Sequence, residues 1–124
     1  MRTYKGFTSE QRMASHRKLM KMVAAGEAPK AERCQACGQT EGIIDYHNAD
    51  YSHPSDHVVH LCFRCHMVVH CSHIDPDAAM VYWLSIGQGN RYAPFHTRNF
   101  PKFAKEHGFN RRSKTRCECC PRPF

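Results

Sequence analysis

The sequence lacks any long apolar segment. No stretch approaches the roughly 20 apolar residues that a membrane-spanning helix needs, so we expect no membrane partner. The first dozen residues are mostly polar and contain no apolar run like that of an ordinary signal peptide. The chain also shows no internal repeat. Together these absences predict a cytoplasmic protein, whose thiols stay reduced.

Acidic residues are scarce beside basic ones. The 124 residues include 11 Asp and Glu against 18 Lys and Arg, a formal net charge of +7. The excess lies at the ends: residues 1–33 hold eight basic and three acidic side chains, and residues 98–122 hold eight and two. Basic flanks suit a partner that has phosphates, so we expect nucleic acid, with solvated surface charge as the alternative.

Cysteine and histidine are abundant, with eight and ten residues. Two Cys-x-x-Cys pairs, Cys34 with Cys37 and Cys62 with Cys65, are separated by 24 residues. Zinc takes four thiolate or imidazole ligands in a tetrahedron, and each pair supplies two sulfurs. We therefore predict one structural Zn²⁺ at these four residues, which would also support a core of limited size. The alternatives are a redox motif, which would not need the second pair, and unliganded core cysteines.

Four further thiols leave a second metal site open. They are Cys71, Cys117, Cys119 and Cys120, and His73 is a conceivable additional ligand. The Cys-x-Cys-Cys spacing of the last three is tight for one tetrahedron. The alternative is a set of free thiols.

Caps and periodicity predict a small α+β chain. The expected elements are helices at residues 9–25, from 65, at 78–86 and at 99–107, and short strands at 43–47 and 57–61. The first helix has a cap at Thr8 or Ser9. Asp75 followed by Pro76 is a strong helix start. The face of the first helix that should pack on the body contains Met13, Arg17, Met20 and Ala24, with Leu19 and Val23 nearby.

The chain is divided into four predicted segments. They are a basic N-terminal helix at residues 1–30, a core at 31–74, C-terminal helices packed on the core at 75–110 and a basic cysteine-rich tail at 111–124. Arg111, Arg112 and Lys114 of the tail are candidate contacts to nucleic acid.

Three histidines are candidate ligands of a second kind of metal site. His66 and His70 are four residues apart on the expected helix, so both imidazoles project from one face. His47 ends the strand before it. If strand and helix pack together, the three imidazoles converge on one divalent ion. The alternative is that they are surface or core residues beside the cysteines.

The motifs around these residues resemble a known family. A His-x-x-Asp-Tyr-x-x-Pro segment at residues 47–54 precedes Leu-Cys-x-x-Cys-His-x-x-x-His at residues 61–70. Residues 34–70 resemble the HNH nucleases, which have the ββα-metal fold, and in particular the zinc-containing HNH-type proteins of phages. The residues of the resemblance are the four cysteines with His47, Asp50, Tyr51, Pro54, Leu61, His66 and His70. The resemblance implies a zinc-stapled α+β core, HNH-like or treble-clef-like, with flanking helices.

The family pattern assigns roles by position. His47, His66 and His70 fall on its metal-ligand positions, for Mg²⁺, Mn²⁺, Ni²⁺ or Zn²⁺. Asn48 falls on the general-base position, where the family has histidine, and His57 falls on the position of the family's asparagine. An amide cannot hold a proton as imidazole does. These three positions, His47, Asn48 and His57, are the catalytic candidates.

The exchange at positions 48 and 57 allows three interpretations. His57 acts as a displaced base; or His47 is the base and Asp45 replaces it as a ligand; or the site binds metal and DNA without efficient cleavage. The resemblance implies a metal-dependent DNA endonuclease or nickase of phage origin, in the host cytoplasm, with Arg64 or Arg91 on phosphate oxygens. The alternative is a catalytically impaired HNH-fold zinc protein that binds nucleic acid or a host protein as a phage regulator or inhibitor.

Overall fold

A computed structural model describes residues 3–4, 7–48 and 58–109. Within these residues the chain is a small α+β protein with four helices and two antiparallel two-stranded sheets. The elements are β1 (Thr3–Tyr4), β2 (Phe7–Thr8), α1 (Ser9–Ala24), β3 (Ile44–Asn48), β4 (Val58–Cys62), α2 (Phe63–Cys71), α3 (Pro76–Gly87) and α4 (Phe100–His107). No helix in the described ranges is long and apolar enough to cross a membrane. The four-segment division stays a prediction.

The central unit is the β3–β4 hairpin followed directly by α2. The strands pair from Ile44 opposite Cys62 to Asn48 opposite Val58. Successive strand residues point to opposite faces, so Asp45 and His47 share the face that packs on α2, and Tyr46 and Asn48 share the other. The predicted strands are confirmed with a shift of one residue.

Helix α1 begins at a capping box. The Thr8 hydroxyl accepts a hydrogen bond from the Gln11 amide at 3.1 Å, and the Gln11 side chain accepts one from the Thr8 amide at 2.8 Å. Each bond satisfies a backbone donor that a helix start leaves unpaired. The predicted bounds of this helix are confirmed to within one residue.

The four residues predicted to form the buried face of α1 are not its buried residues, although Leu19, predicted to lie near that face, is buried. The buried residues are Arg12, Ser15 and Leu19, whereas Met13 is 37% exposed. Arg17 and Ala24, two other predicted members of that face, are also exposed, and Met20 is half-buried. Apolar residues are spread around this helix, so apolar periodicity did not define a face. Polar contacts decided it: Ser15 accepts a hydrogen bond from Asn48 of β3.

The core lies where α2 meets α3, α4 and the cysteine-containing turns. Phe63, Met67 and Val68 of α2 and Phe103 of α4 are at most 1% exposed. Helix α3 begins at the predicted cap, Asp75, and α4 begins after Asn99, the first residue of the predicted helix; both side chains accept from backbone amides in the first turn. Helix α2 is therefore packed on several sides, which fixes the direction of its remaining side chains.

Residues 91–99 return from α3 to the hairpin. The Ile43 amide donates to the Phe95 carbonyl at 2.8 Å, just before β3 begins. Gly42 makes this close approach possible, because its φ is +71° and a Cβ on it would lie 2.4 Å from the Phe95 oxygen. The contact brings the segment that contains Arg98 beside β3.

Replacing Gly42 with alanine should destabilise the protein strongly. The substitution adds left-handed strain of about 1–2 kcal/mol and a steric conflict of about 1–3 kcal/mol at the Phe95 carbonyl. Gly26→Ala is the matched control, because Gly26 has a similar φ of +77° but nothing within 4 Å of its Cβ position. Equal losses of unfolding free energy in denaturant titrations of the two variants would contradict this account of the Gly42 contact.

Candidate metal centres

The four predicted zinc ligands lie together. The sulfur atoms of Cys34, Cys37, Cys62 and Cys65 are all within 4.8 Å of one another. The Sγ atoms of Cys37 and Cys62 are 3.7 Å apart. Zinc–sulfur bonds of 2.3 Å in a tetrahedron place two sulfurs about 3.8 Å apart. The cluster therefore has the ligand type, number and spacing to hold a metal such as zinc.

The two halves of this cysteine cluster are built alike. In each, the amide of the second cysteine points at the sulfur of the first: Cys37 N to Cys34 Sγ and Cys65 N to Cys62 Sγ, both at 3.4 Å. The first half is a turn closed by the Gly38 amide on the Cys34 carbonyl at 2.9 Å. The second half is the start of α2, where Cys62 is the cap residue. Amides directed at sulfur favour the thiolate form that binds metal.

Crowding makes the free thiols of the cluster electrostatically unequal. Hydrogen bonds from Cys62 and Cys65 hold the pKa of the Cys34 thiol far below its ordinary value. The same contact with Cys34 raises the pKa of Cys62 to about 12, and contacts with Cys34 and Cys62 raise that of Cys65 further. Ionisation of one thiol therefore opposes ionisation of its neighbours, and a cation would offset that repulsion. A divalent metal that replaces the thiol protons supplies that charge.

The three predicted histidines also converge. Their ring nitrogens, from His47 on β3 and from His66 and His70 on α2, lie within 4.8 Å of one another. The ring centroid of His47 is 5.2 Å from that of each other histidine, and the Nε2 atoms of His66 and His70 are 2.7 Å apart. Because two lone pairs repel at that distance, a proton or a cation must lie between them. Imidazole groups suit Zn²⁺, Ni²⁺ and similar ions.

Burial keeps one of these imidazoles neutral. His70 is 3% exposed, and burial together with the charges of His66 and His47 lowers its pKa to about 2. A neutral imidazole has the lone pair that a metal ligand needs. Burial therefore favours the uncharged imidazole of His70, which is the charge state that a metal ligand requires.

Asp45 lies behind the histidine cluster and contacts His66. Its Oδ2 is 2.9 Å from His66 Nδ1, while Oδ1 accepts from Arg98 Nη2 at 2.5 Å and Oδ2 from Arg98 Nη1 at 2.9 Å. Burial alone would raise the pKa of Asp45, but the bonds from His66 and Arg98 hold it well below its usual range. Both oxygens are engaged, so the geometry disfavours Asp45 as a metal ligand in place of His47.

Asn48 faces away from the histidine cluster. It is 9% exposed, and its Nδ2 donates to the Ser15 hydroxyl of α1 at 3.3 Å. Strand alternation places its side chain opposite that of its neighbour His47. His57, the other half of the exchanged pair, lies outside the described residues, as do Asp50, Tyr51 and Pro54.

Arg64 does not fit the predicted role of phosphate contact. It is 5% exposed, and its guanidinium donates to Glu106 and to the Ala93 carbonyl and lies 4.5 Å from the ring centre of Phe95. The helix start that positions Cys62 and Cys65 turns Arg64 inward, where it joins α2 to α4. The prediction for Arg64 is wrong because sequence position alone did not show which side of α2 is covered.

Of the other predicted phosphate contacts, only Arg91 lies within the described residues. Arg91 is exposed, and its Nη1 donates to the carbonyls of Ile86 and Asn90. The tail residues Arg111, Arg112 and Lys114 are outside the described residues.

Of the four thiols considered for a second metal site, Cys117, Cys119 and Cys120 are also outside the described residues. Cys71 is buried, and burial raises its thiol pKa to about 11. Sequence analysis missed Arg98, because nothing in the sequence links it to Asp45.

Comparison with known proteins adds no relative. No family model, curated protein or solved structure matches the chain.

The cysteine cluster should retain one zinc ion per chain after purification through a weak chelator. Cys37→Ser should lower the retained zinc by one equivalent and destabilise the fold, because structural zinc contributes roughly 10 kcal/mol or more to small domains. Cys71→Ala is the control, because Cys71 is a buried cysteine that lies outside the cluster. Elemental analysis and thermal denaturation measure both effects. Zinc-free wild-type protein, or unchanged zinc in Cys37→Ser, would contradict the assignment.

Proposed function

We propose that this protein is a metal-dependent phosphodiester hydrolase of the HNH type that cleaves or nicks DNA. The observation that most supports it is the convergence of His47, His66 and His70 on one point of a strand–strand–helix unit. Asp45 contacts the distal nitrogen of His66, as carboxylates do behind metal-binding histidines. The HNH-like and zinc-stapled character of the fold belongs to the same proposal.

The cysteine cluster acts in this proposal as a structural zinc site. It joins the turn at residues 34–38 to the end of β4 and the first turn of α2. Cys65 and His66 are neighbours, so a restraint on the sulfur of one also limits the position of the other's ring. The zinc therefore holds the helix that presents His66 and His70 against the strand that presents His47.

The histidine cluster would hold the working metal, with Mg²⁺, Mn²⁺, Ni²⁺ or Zn²⁺ as candidates. Such an ion stabilises charge that develops on the phosphate and on the leaving oxygen. The chain supplies three imidazoles whose ring nitrogens lie within 4.8 Å of one another, with His70 nearly excluded from water. A base is still needed to take a proton from water, and the amide of Asn48 cannot do so. We assign that role to His57, the histidine at the exchanged position.

Charge supports DNA as the substrate. The net charge of +7 and the basic segments at both ends attract a polyanion. Arg91, with the tail residues Arg111, Arg112 and Lys114, stays in this proposal as a phosphate contact. A phage protein with this activity would act in the cytoplasm of the host.

Nicking of supercoiled plasmid tests the activity directly. With Mg²⁺, Mn²⁺ or Ni²⁺ the protein should produce open-circular DNA, and His66→Ala should lower the rate about 100-fold or more, beyond what loss of an outer-shell partner usually costs. His73→Ala is the matched control, because His73 is an exposed imidazole just beyond α2. Absence of product with every metal, despite DNA binding, would refute the hydrolase proposal.

One observation favours a second function, that of a catalytically impaired HNH-fold zinc protein. Asn48 occupies the base position and is buried against Ser15 of α1, so this position is used for packing. Such a protein would bind nucleic acid or a host protein as a phage regulator or inhibitor. Metal binding by the histidine cluster would then be retained without turnover.

Variants at the exchanged pair separate the two functions. If His57 is the base, His57→Ala should lower nicking about 100-fold, within the usual range for general-base loss, with unchanged metal content. Asn48→Ala is the companion variant and should retain most activity. If the wild type is inactive but Asn48→His with His57→Asn gains cleavage, the impaired-protein function is supported. Full activity of His57→Ala would eliminate it as the base.

A further inference from the structure

We propose that Arg98 and Asp45 form a positioning pair for His66, so that a residue outside the strand–strand–helix unit sets the affinity of the histidine cluster for metal. The inference rests on the proposed role of the histidine cluster as a metal site. It assigns Asp45 and Arg98 as positioning residues that act through His66.

The first step is the contact between Asp45 and His66. The carboxylate Oδ2 accepts a hydrogen bond from His66 Nδ1 at 2.9 Å, and the side chains are only 11% and 12% exposed. A proton held on Nδ1 leaves the lone pair on Nε2, the atom that lies 2.7 Å from Nε2 of His70. Asp45 therefore selects the tautomer whose free nitrogen faces the cluster.

The second step is the bidentate hydrogen bonding of Arg98 to the same carboxylate. Its two terminal nitrogens contact both oxygens of Asp45, at 2.9 Å and 2.5 Å. A planar guanidinium in this forked geometry fixes the rotation of the carboxylate as well as its position. The fork also offsets the charge of Asp45, which would otherwise be drawn toward a cation as a ligand. Arg98 thus keeps Asp45 behind His66.

The third step is how Arg98 reaches β3. It lies between Phe95, whose carbonyl accepts from the Ile43 amide, and Asn99, which caps α4. Its guanidinium carbon is 5.9 Å from the ring centre of Phe63 at the start of α2. Residues 91–99 are thereby held in place on both sides of Arg98. These residues therefore pack on the core and also complete the surroundings of the proposed metal ligands.

The test is titration with Co²⁺ of full-length protein whose cysteine cluster is loaded with zinc. Co²⁺ at the imidazoles is recognised by visible absorption without the sulfur charge-transfer bands that thiolate ligands produce. Asp45→Asn should weaken Co²⁺ binding by 10- to 100-fold, the usual effect of losing an outer-shell partner. Arg98→Gln should weaken it about 10-fold, and Arg98→Lys, which keeps the charge but loses the fork, should recover part of that loss.

Three further measurements exclude a merely structural effect. Zinc content of each variant should stay close to wild type, and each variant should remain cooperatively folded in thermal denaturation even where loss of a charge partner lowers its stability, with Arg17→Gln as the control for loss of an exposed arginine. Nitrogen-15 NMR of His66 should show the Nδ1-protonated tautomer in the wild type and loss of that preference in Asp45→Asn. Altered Co²⁺ affinity together with an altered tautomer supports the positioning pair.

Three results would overturn the proposal. They are wild-type Co²⁺ affinity in Asp45→Asn, tighter binding in Arg98→Gln, which would mean that a released Asp45 becomes a ligand, and absence of Co²⁺ binding at the histidines of the wild type. None requires DNA, so the outcome is separable from the proposed activity. A protein that shows the expected affinity changes but never nicks DNA would retain the positioning pair and lose the hydrolase function.

Discussion

The attachment of α2 to the β3–β4 hairpin is the constraint on which the rest of the molecule depends. The hairpin has only five residues in each strand, too little for stability without further packing. Four sulfur atoms meet at the junction of β4 and α2, and the same helix presents His66 and His70 one turn apart. Movement of α2 away from the hairpin would separate these imidazoles from His47, so a metal at the sulfurs would act directly on the histidine geometry.

Two arginines connect this junction to the C-terminal half in different ways. Arg64 is buried and bonds to Glu106 and a backbone carbonyl, so its charge stabilises the interior and is not offered to a ligand. Arg98 is 42% exposed and grips Asp45 at the edge of the histidine cluster. Removal of one partner from a buried, hydrogen-bonded charge is costly. The C-terminal helices are therefore coupled to the site through specific charges as well as through apolar packing.

In the proposed HNH assignment residue 48 holds the base position, where its packing against α1 competes with a chemical role. Asn48 ends β3 and donates to Ser15, which gives the predicted basic helix a polar anchor on the hairpin. A short amide satisfies that contact with little exposure, and strand alternation directs it away from the histidine cluster. The exchange of Asn48 and His57 is consistent with a division of these tasks. This is the physical basis for considering both an active and an impaired enzyme.

Much of the local structure was predictable from the sequence. Caps at Thr8, Asp75 and Asn99, the Cys-x-x-Cys spacing and the His-x-x-x-His spacing are local patterns whose geometry follows from short stretches of backbone. Long-range packing decided the rest: the buried face of α1, the inward turn of Arg64 and the grip of Arg98 on Asp45, 53 residues away in the chain. These depend on which surfaces meet, and a charged side chain has the same local pattern whether it faces solvent or a buried partner.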